Sequence, residues 1–185
     1  MSSRTSLAKN QNACKRGGVH IRDIVANAHQ FTATTRWPAD AANTHPDATY
    51  SRDAQLGSGD DSGRKPAVPG SAPTVFGGDA TRYNPEELLL MSLSECHMLT
   101  FLAIASRKGV RVVSYEDDAI GTLAIGEYGT KGKMSMQEAV LRPRVSIVGA
   151  SAEDVQAMHE KAHANCFIAN SVNFPVRFEA RTTVA

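Results

Sequence analysis

The stretch NPEELLLMSLSECHMLTFLAIASRKGV, residues 84–110, is almost continuously apolar, yet Glu95, Cys96 and His97 lie at its centre. A helix that is apolar on nearly every face either spans a membrane or packs in the core of a domain. An acidic side chain at mid-membrane costs about 3 kcal/mol, so the sequence favours a buried central helix. Successive helical residues point about 100° apart, so these three polar side chains cannot share one pocket. We therefore expect Glu95 or His97 to face solvent or a second subunit.

Both ends of this helix are marked in the sequence. Asn84 is a good N-cap, Pro85 suits the first helical position, and Glu87 lies where a capping box needs an acid. At the other end, Arg107 complements the helix dipole, and Gly109 is typical of the residue that follows a helix. The stretch therefore predicts one long helix with a defined start and end.

Composition limits the kind of protein this can be. The 185 residues carry 20 Lys and Arg against 19 Asp and Glu, a formal charge of +1, and they contain three cysteines. That length suits one domain with a core that needs no disulfide. Without a basic stripe and interleaved aromatics, nucleic acid is not an expected partner. An odd number of cysteines is typical of a reducing compartment, so we expect a cytoplasmic protein.

The remaining patterns predict an α+β domain with mostly antiparallel sheet. Residues 1–28 are predicted to be a disordered tail in which Cys14 is incidental, and residues 29–185 to form one domain. The predicted elements run in the order ββ-α-ββ-α-β. They are strands at 29–37 and 48–56, a long loop at 57–78, the helix within 84–110, strands at 110–123 and 134–148, a helix at 151–165, and a final strand at 173–184.

A second cysteine, Cys166, follows the second predicted helix in the stretch KAHANCFIANSVNFPV. Two cysteines beside polar groups in apolar helices suggest a redox pair, in which one thiol attacks and the other resolves. The attacking thiol needs a lowered pKa, which a nearby cation or a helix N-terminus provides. Because guanidinium stays charged, Arg36, Arg52 and Arg82 are candidate cations.

Two other functions are compatible with these residues. His159, His163 and Cys166 are spaced i, i+4, i+7 and lie on one helical face, and imidazole and thiolate are good zinc ligands. Cys96 would complete four ligands, although we favour a solvated or partner-facing histidine pair as the explanation of this spacing. The third possibility is a noncatalytic binding or stress protein whose cysteines are core residues.

Two segments together carry a family resemblance: GDATRYNPEELLLMSLSECHM at 78–98 and AHANCFIANSVNFPV at 162–176. They resemble the OsmC/Ohr superfamily of thiol-dependent hydroperoxide reductases, in particular the OsmC-like branch with the CHM signature. The likeness covers roughly residues 29–184. It implies an OsmC-like fold of antiparallel sheets and long central helices, formed by an intertwined homodimer.

The resemblance also implies a chemistry, used in oxidative-stress defence. Cys96 would be the peroxidatic thiolate, which attacks the distal oxygen of an organic hydroperoxide and becomes a sulfenic acid. Cys166 would condense with it to a disulfide, which an external dithiol, such as a lipoyl protein, would reduce. This chemistry needs no cofactor or metal, no membrane and no nucleic acid, and an apolar pocket suits organic hydroperoxides.

The family's motif acid falls on Glu86, which is expected to pair with an arginine that activates the thiolate. Arg52 is our first choice for that arginine and Arg36 the second, while Arg82 is a candidate local partner of Glu86. Glu86 and Cys96 are ten residues apart, about 15 Å along a straight helix. They can therefore meet only through a partner chain, a bend or an intervening arginine. A dimer with shared sites is the simplest of these arrangements.

Overall fold

The computed structural model describes residues 28–37, 50–59, 65–129 and 132–184. The predicted tail up to residue 27, including Cys14, lies outside the described residues. Within them the chain forms nine strands and two α-helices. These are β1 (Ala33–Arg36), β2 (Ala54–Ser58), β3 (Val68–Gly70), α1 (Pro85–Arg107), β4 (Arg111–Asp117), β5 (Ile120–Ile125), β6 (Met134–Leu141), β7 (Pro143–Val148), α2 (Ala152–Ala164), β8 (Val176–Phe178) and β9 (Arg181–Val184).

The described strands form three sheets of three strands, in the orders β1-β2-β3, β4-β7-β9 and β5-β6-β8. The β1–β2, β2–β3, β4–β7 and β5–β6 pairs are antiparallel. The β6–β8 and β7–β9 pairs are parallel, because the chain passes through α2 before it returns to the sheets. The predicted α+β class with mostly antiparallel sheet is confirmed.

Several predicted strand boundaries were wrong. The second strand begins at Ala54 rather than at residue 48, and the predicted loop at 57–78 contains β3. Its Val-Pro-Gly sequence has weak strand propensity, but pairing with β2 places Pro69 on an edge strand, where proline is tolerated. Local sequence does not encode that long-range pairing.

Three other predicted strands each contain two. The 110–123 stretch divides into β4 and β5, the 134–148 stretch into β6 and β7, and the 173–184 stretch into β8 and β9. Asp117 ends β4, and Arg142 lies between β6 and β7. The backbone N–H of Arg142 donates to Asp117 Oδ1 at 2.6 Å, so one bond joins these two breaks. The N–H of Glu179 donates to the carbonyl of Leu141 at 2.8 Å, at the third break. These bonds tie neighbouring turns together across the sheets.

The predicted start of α1 is confirmed in detail. The Asn84 side chain accepts from the Glu87 N–H at 2.8 Å, and the Glu87 carboxylate accepts from the Asn84 N–H at 3.1 Å. At the other end Gly109 adopts a φ of +70°, which favours glycine over residues with a Cβ. Helix α2 begins with the same reciprocal arrangement between Ser151 and Asp154.

Only one stripe of α1 is buried within the single chain. It consists of Leu93, His97, Phe101, Ile104 and Ala105, at the spacing of one helix face. Of the described helices, α1 alone is long and apolar enough to cross a membrane, with 28% of that window buried. Because its buried stripe packs against α2 and the sheets, we interpret α1 as a core helix with a face left open in the single chain.

Two apolar clusters flank that stripe. One joins the C-terminal half of α1 to α2 and β7, through Phe101, Ile147 and Met158. The other joins the N-terminal half of α1 to β6 and β8, through Leu93, Leu141 and Val176. These contacts fix α1 between α2 and the sheets, and so fix the direction in which its polar residues point.

Candidate active site

Cys96 lies half-buried on α1, directly before His97 in the chain. It lines an open cavity of about 710 Å³. The described lining is largely apolar, with Leu99, Ala103, Ile104, Phe31, Phe167 and Ile168. Glu95 lines the same cavity and is exposed, as one of the two outcomes predicted for it. A thiol in such a cavity can meet an organic molecule while much of the surrounding surface excludes water.

Cys166 is fully buried just after α2, and its thiol lies beside that of Cys96. Both are free thiols. The backbone N–H of Cys166 donates to the carbonyl of His163 at 3.2 Å, which turns the chain out of α2 and directs the side chain inward. The structure therefore brings the two cysteines together from elements separated by the β4–β7 strands.

The two thiols have different environments. Burial raises the pKa of Cys166 to about 11, and the neighbouring Cys96 adds to this rise. The backbone N–H groups of Ala169 and Ile168 act in the opposite direction, because they hydrogen-bond the sulfur. Cys166 is therefore protonated at neutral pH, but two amide donors are in place to stabilise its thiolate when one forms.

His97, about 100° around α1 from Cys96, meets α2 in the protein core. Its Nε2 lies 3.0 Å from Nδ1 of His159, so the two rings share one hydrogen bond, and neither side chain is exposed. The rings are nearly parallel, at 8°, and Phe101 stacks on His159 with centroids 4.2 Å apart. Burial lowers the pKa of both imidazoles to about 4, and for His97 the neighbouring His159 and His163 lower it further.

Sequence reasoning missed this histidine pair. We expected His159 and His163 to be solvated, partner-facing or zinc-bound, but His159 is fully buried against His97. The signal was present in the spacing, because Val155, Met158, His159 and Ala162 share one helix face. Leu93 and Phe101 likewise flank His97 at intervals of four residues.

The geometry does not support the zinc alternative. His159, which would be its first ligand, directs Nδ1 at His97 instead. In the described parts of the chain, no three His, Cys, Asp or Glu side chains are grouped so that they could hold a metal ion.

The other predicted site residues do not reach Cys96 within one chain. Helix α1 runs uninterrupted from Pro85 to Arg107, so Glu86 is about 15 Å from Cys96 along the axis. One carboxylate oxygen of Glu86, Oε2, is buried without a hydrogen-bond partner. Arg52 lies over the ring of Tyr50, 4.7 Å from its centroid. Neither Glu86 nor Arg52 belongs to the described lining of the cavity.

The other two candidate arginines, Arg82 and Arg36, also lie in positions that differ from those expected. Arg82 was a candidate partner of Glu86, but its Nε lies 3.3 Å from Asp53 and 3.4 Å from Asp79. Asp79 lies in the turn that leads into α1, and Ser71 Oγ bonds both Asp53 and the Asp79 N–H, which brings the two acids together beside Arg82. Arg36 is exposed on β1 and does not occur among the described lining residues. The cations that do line the cavity are Arg107 and Lys161.

Comparison with known proteins agrees with this fold. Residues 77–181, more than half of the chain, match the family model described as OsmC-like protein. An OsmC-like protein of unknown function from Vibrio cholerae is 33% identical, with a TM-score of 0.72, over 83% of this chain and 100% of that one. The uncharacterized protein YmaD of Bacillus subtilis is 26% identical over 118 residues, 62% of this chain and 76% of its own.

A more distant structure matches in fold. The organic hydroperoxide resistance protein from Elizabethkingia anophelis is 16% identical, with a TM-score of 0.60, over 86% of this chain and 99% of that one. With the α+β fold and a cysteine pair from the two helical segments, the chain belongs to the OsmC-like family. The predicted membership of the OsmC/Ohr superfamily is thus confirmed.

Proposed function

We propose that this protein is a thiol-dependent peroxidase that reduces organic hydroperoxides. The observation that carries the proposal is the position of Cys96, half-buried in a largely apolar cavity of about 710 Å³ and beside the buried Cys166. In this arrangement the half-buried thiol of Cys96 attacks the substrate, and the buried, protonated thiol of Cys166 resolves the product. The membership of a family that contains a protein named for organic hydroperoxide resistance supports the same function.

The proposed reaction has two chemical steps in the protein. The Cys96 thiolate attacks the distal peroxide oxygen, the O–O bond breaks, and the alkoxide leaves and is protonated to the alcohol, which leaves Cys96 as a sulfenic acid. Cys166 then attacks that sulfur, forms the disulfide and releases water. A dithiol, such as a dihydrolipoyl group, would return both thiols by exchange. No further group is needed for the electron balance.

The complete site in this proposal includes a second copy of the chain. Met91 and Leu99 are 44% and 55% exposed on α1, so an apolar helix face is available for a partner. The buried, unpartnered Oε2 of Glu86 marks a position where an arginine from another chain would find a carboxylate. Arg52 remains our choice for that arginine, acting across the dimer.

The function is tested by consumption of cumene hydroperoxide with a dithiol reductant. Wild type, Cys96→Ser and Cys166→Ser are compared, and Cys14→Ser is the matched control for loss of a thiol. We expect turnover in wild type and the control and none in Cys96→Ser. Metal content is measured on the same samples, since stoichiometric zinc without turnover would instead support the metal-binding alternative.

The shared site is tested by mixing two inactive variants. In a hybrid of Cys96→Ser and Glu86→Gln chains, one site would combine the intact Cys96 of one chain with the intact Glu86 of the other. We expect the mixture to regain activity that neither variant has alone. Failure to regain activity in verified hybrids, or a purely monomeric active protein, would contradict the shared site.

A further inference from the structure

The cavity at Cys96 carries its charged side chains at different places along its length. Four of its lining residues come from one face of α1, at the spacing i, i+4, i+7 and i+11: Cys96, Thr100, Ala103 and Arg107. Eleven residues of helix cover about 16 Å. The cavity therefore follows about three turns of α1, with the thiol near one end of this face and a guanidinium at the other.

A second wall of the cavity comes from α2 and carries another cation, Lys161. The ring of His163 lies 6.4 Å from that of His97, between centroids. The ring of His159 lies 4.2 Å from that of Phe101, one turn further along α1. Helix α2 therefore runs antiparallel to α1. Lys161, which lies between the two α2 histidines in the chain, is closer than the thiol to the C-terminal end of α1.

The charges that line the cavity are unevenly distributed. In the part of the chain that the structure describes, Arg107 and Lys161 take part in none of the ion pairs, which involve other arginines. Glu95 is the one acidic residue of the described lining. It precedes Cys96 in the chain and is about 18 Å of helix from Arg107. The cavity thus has an acid beside the thiol and two cations further along.

We propose that this cavity binds hydroperoxides that carry a carboxylate at the far end of an apolar chain. The carboxylate lies at Arg107, with Lys161 adding positive charge, and the peroxide reaches Cys96. The reverse orientation is disfavoured, because it would place the carboxylate beside Glu95. This inference deepens the proposed function and rests on it for the reaction itself.

The spacing of Cys96 and Arg107 sets the length of the molecule that fits. An extended chain of roughly a dozen carbon atoms covers about 16 Å, since each C–C bond is about 1.5 Å long. The chain would lie against the apolar lining, where its burial is favourable. Guanidinium stays charged, and its planar set of donors matches a carboxylate. A shorter acid cannot reach both groups, and an uncharged chain lacks the contact at Arg107.

The test uses maleimides, to which a thiol adds across the ring double bond, and so needs no peroxide. In a Cys14→Ser background, 11-maleimidoundecanoate is compared with its methyl ester and with the shorter acid 6-maleimidohexanoate. Addition to Cys96 is followed by peptide mass spectrometry. Each rate is divided by the rate with N-ethylmaleimide, which corrects for any change in the reactivity of the thiol itself. We expect the long acid to add about fivefold faster than either other reagent, as a partly exposed charge pair provides.

Arg107→Gln is the test variant and Lys108→Gln is its matched control, because each removes one positive charge from the C-terminal end of α1. Lys108 is exposed and does not occur among the described lining residues. We expect Arg107→Gln to remove most of the advantage of the long acid and Lys108→Gln to preserve it. Arg107→Lys should retain part of the advantage, and high salt should weaken it in the unsubstituted cavity.

Equal relative rates for the long acid and its ester before substitution would overturn the inference. An equal loss of the advantage in Arg107→Gln and Lys108→Gln would also overturn it, because the charge of the helix end rather than a contact in the cavity would then be responsible.

This assay separates the two proposals. A preference for the long acid that depends on Arg107, in a protein that consumes no cumene hydroperoxide, would contradict the peroxidase function and support the carboxylate-binding end of the cavity. Turnover of cumene hydroperoxide without a preference for the long acid would do the reverse.

Discussion

The buried histidine pair makes the fold sensitive to acid. Burial lowers the pKa of His97 and His159 from the ordinary 6.5 to about 4. Below pH 6.5 the unfolded chain binds protons at these residues while the folded chain does not. Stability is therefore complete above pH 6.5 and is lost as the pH falls towards 4.

The size of the effect follows from the same values. The difference of about 2.5 pH units corresponds to about 3 kcal/mol for each imidazole. The free energy of unfolding should fall by about 1.4 kcal/mol per pH unit for each imidazole, and by nearly twice that for the pair. Domains are stable by about 5–15 kcal/mol, so this loss is large enough to measure.

The assay is urea denaturation at a series of pH values between 7 and 4.5, on wild type and on the double variant His97→Gln/His159→Asn. The Gln and Asn side-chain amides place a nitrogen or oxygen atom near the positions of His97 Nε2 and His159 Nδ1, but they do not titrate. Any lower stability of the double variant at pH 7 is a constant offset, so the slope of its stability with pH is the quantity compared. We expect that slope to be markedly shallower than in wild type.

Exposed carboxylates also contribute to acid sensitivity. Asp118 beside Arg144, and Asp154 in its capping box with Ser151, have lowered pKa values and favour the folded state less as they protonate. Both remain in the double variant, so the difference between the two slopes isolates the histidines. Equal slopes in wild type and the double variant would refute the argument.

Three further predictions concern the fold and assembly. Asn84→Ala removes the α1 cap and should cost about 1 kcal/mol in urea denaturation; no loss would show that the capping box is dispensable. Phe101→Ala empties a fully buried site and should cost about 3–5 kcal/mol, and a cost under 1 kcal/mol would contradict that packing. Met91→Lys charges the open face of α1 and should convert a dimer to monomer in sedimentation velocity without lowering the monomer's stability. An unchanged dimer would place the interface elsewhere.

The features that could be predicted from the sequence are those encoded locally. The limits of α1 follow from Asn84, Glu87 and Gly109, whose effects act within one helical turn. The pairing of Cys96 with Cys166 was suggested by the polar groups beside each cysteine and then by the family resemblance. The structure places the two cysteines beside each other, and their redox roles stay a prediction.

The features that were missed depend on contacts between distant elements. The strand β3 exists because β2 offers it a partner, although Val68–Gly70 has little strand propensity of its own. The bond between His97 and His159 joins residues 62 positions apart. Arg82 was assigned to the wrong acid because Asp53, the residue before β2, is close only after folding.

The most direct test of the account is to treat the reduced protein with one equivalent of cumene hydroperoxide and map its cysteines by peptide mass spectrometry. The account predicts a disulfide between Cys96 and Cys166, and a dimedone-trapped sulfenic acid on Cys96 in the Cys166→Ser variant. Recovery of both cysteines as free thiols with the hydroperoxide unconsumed would contradict it.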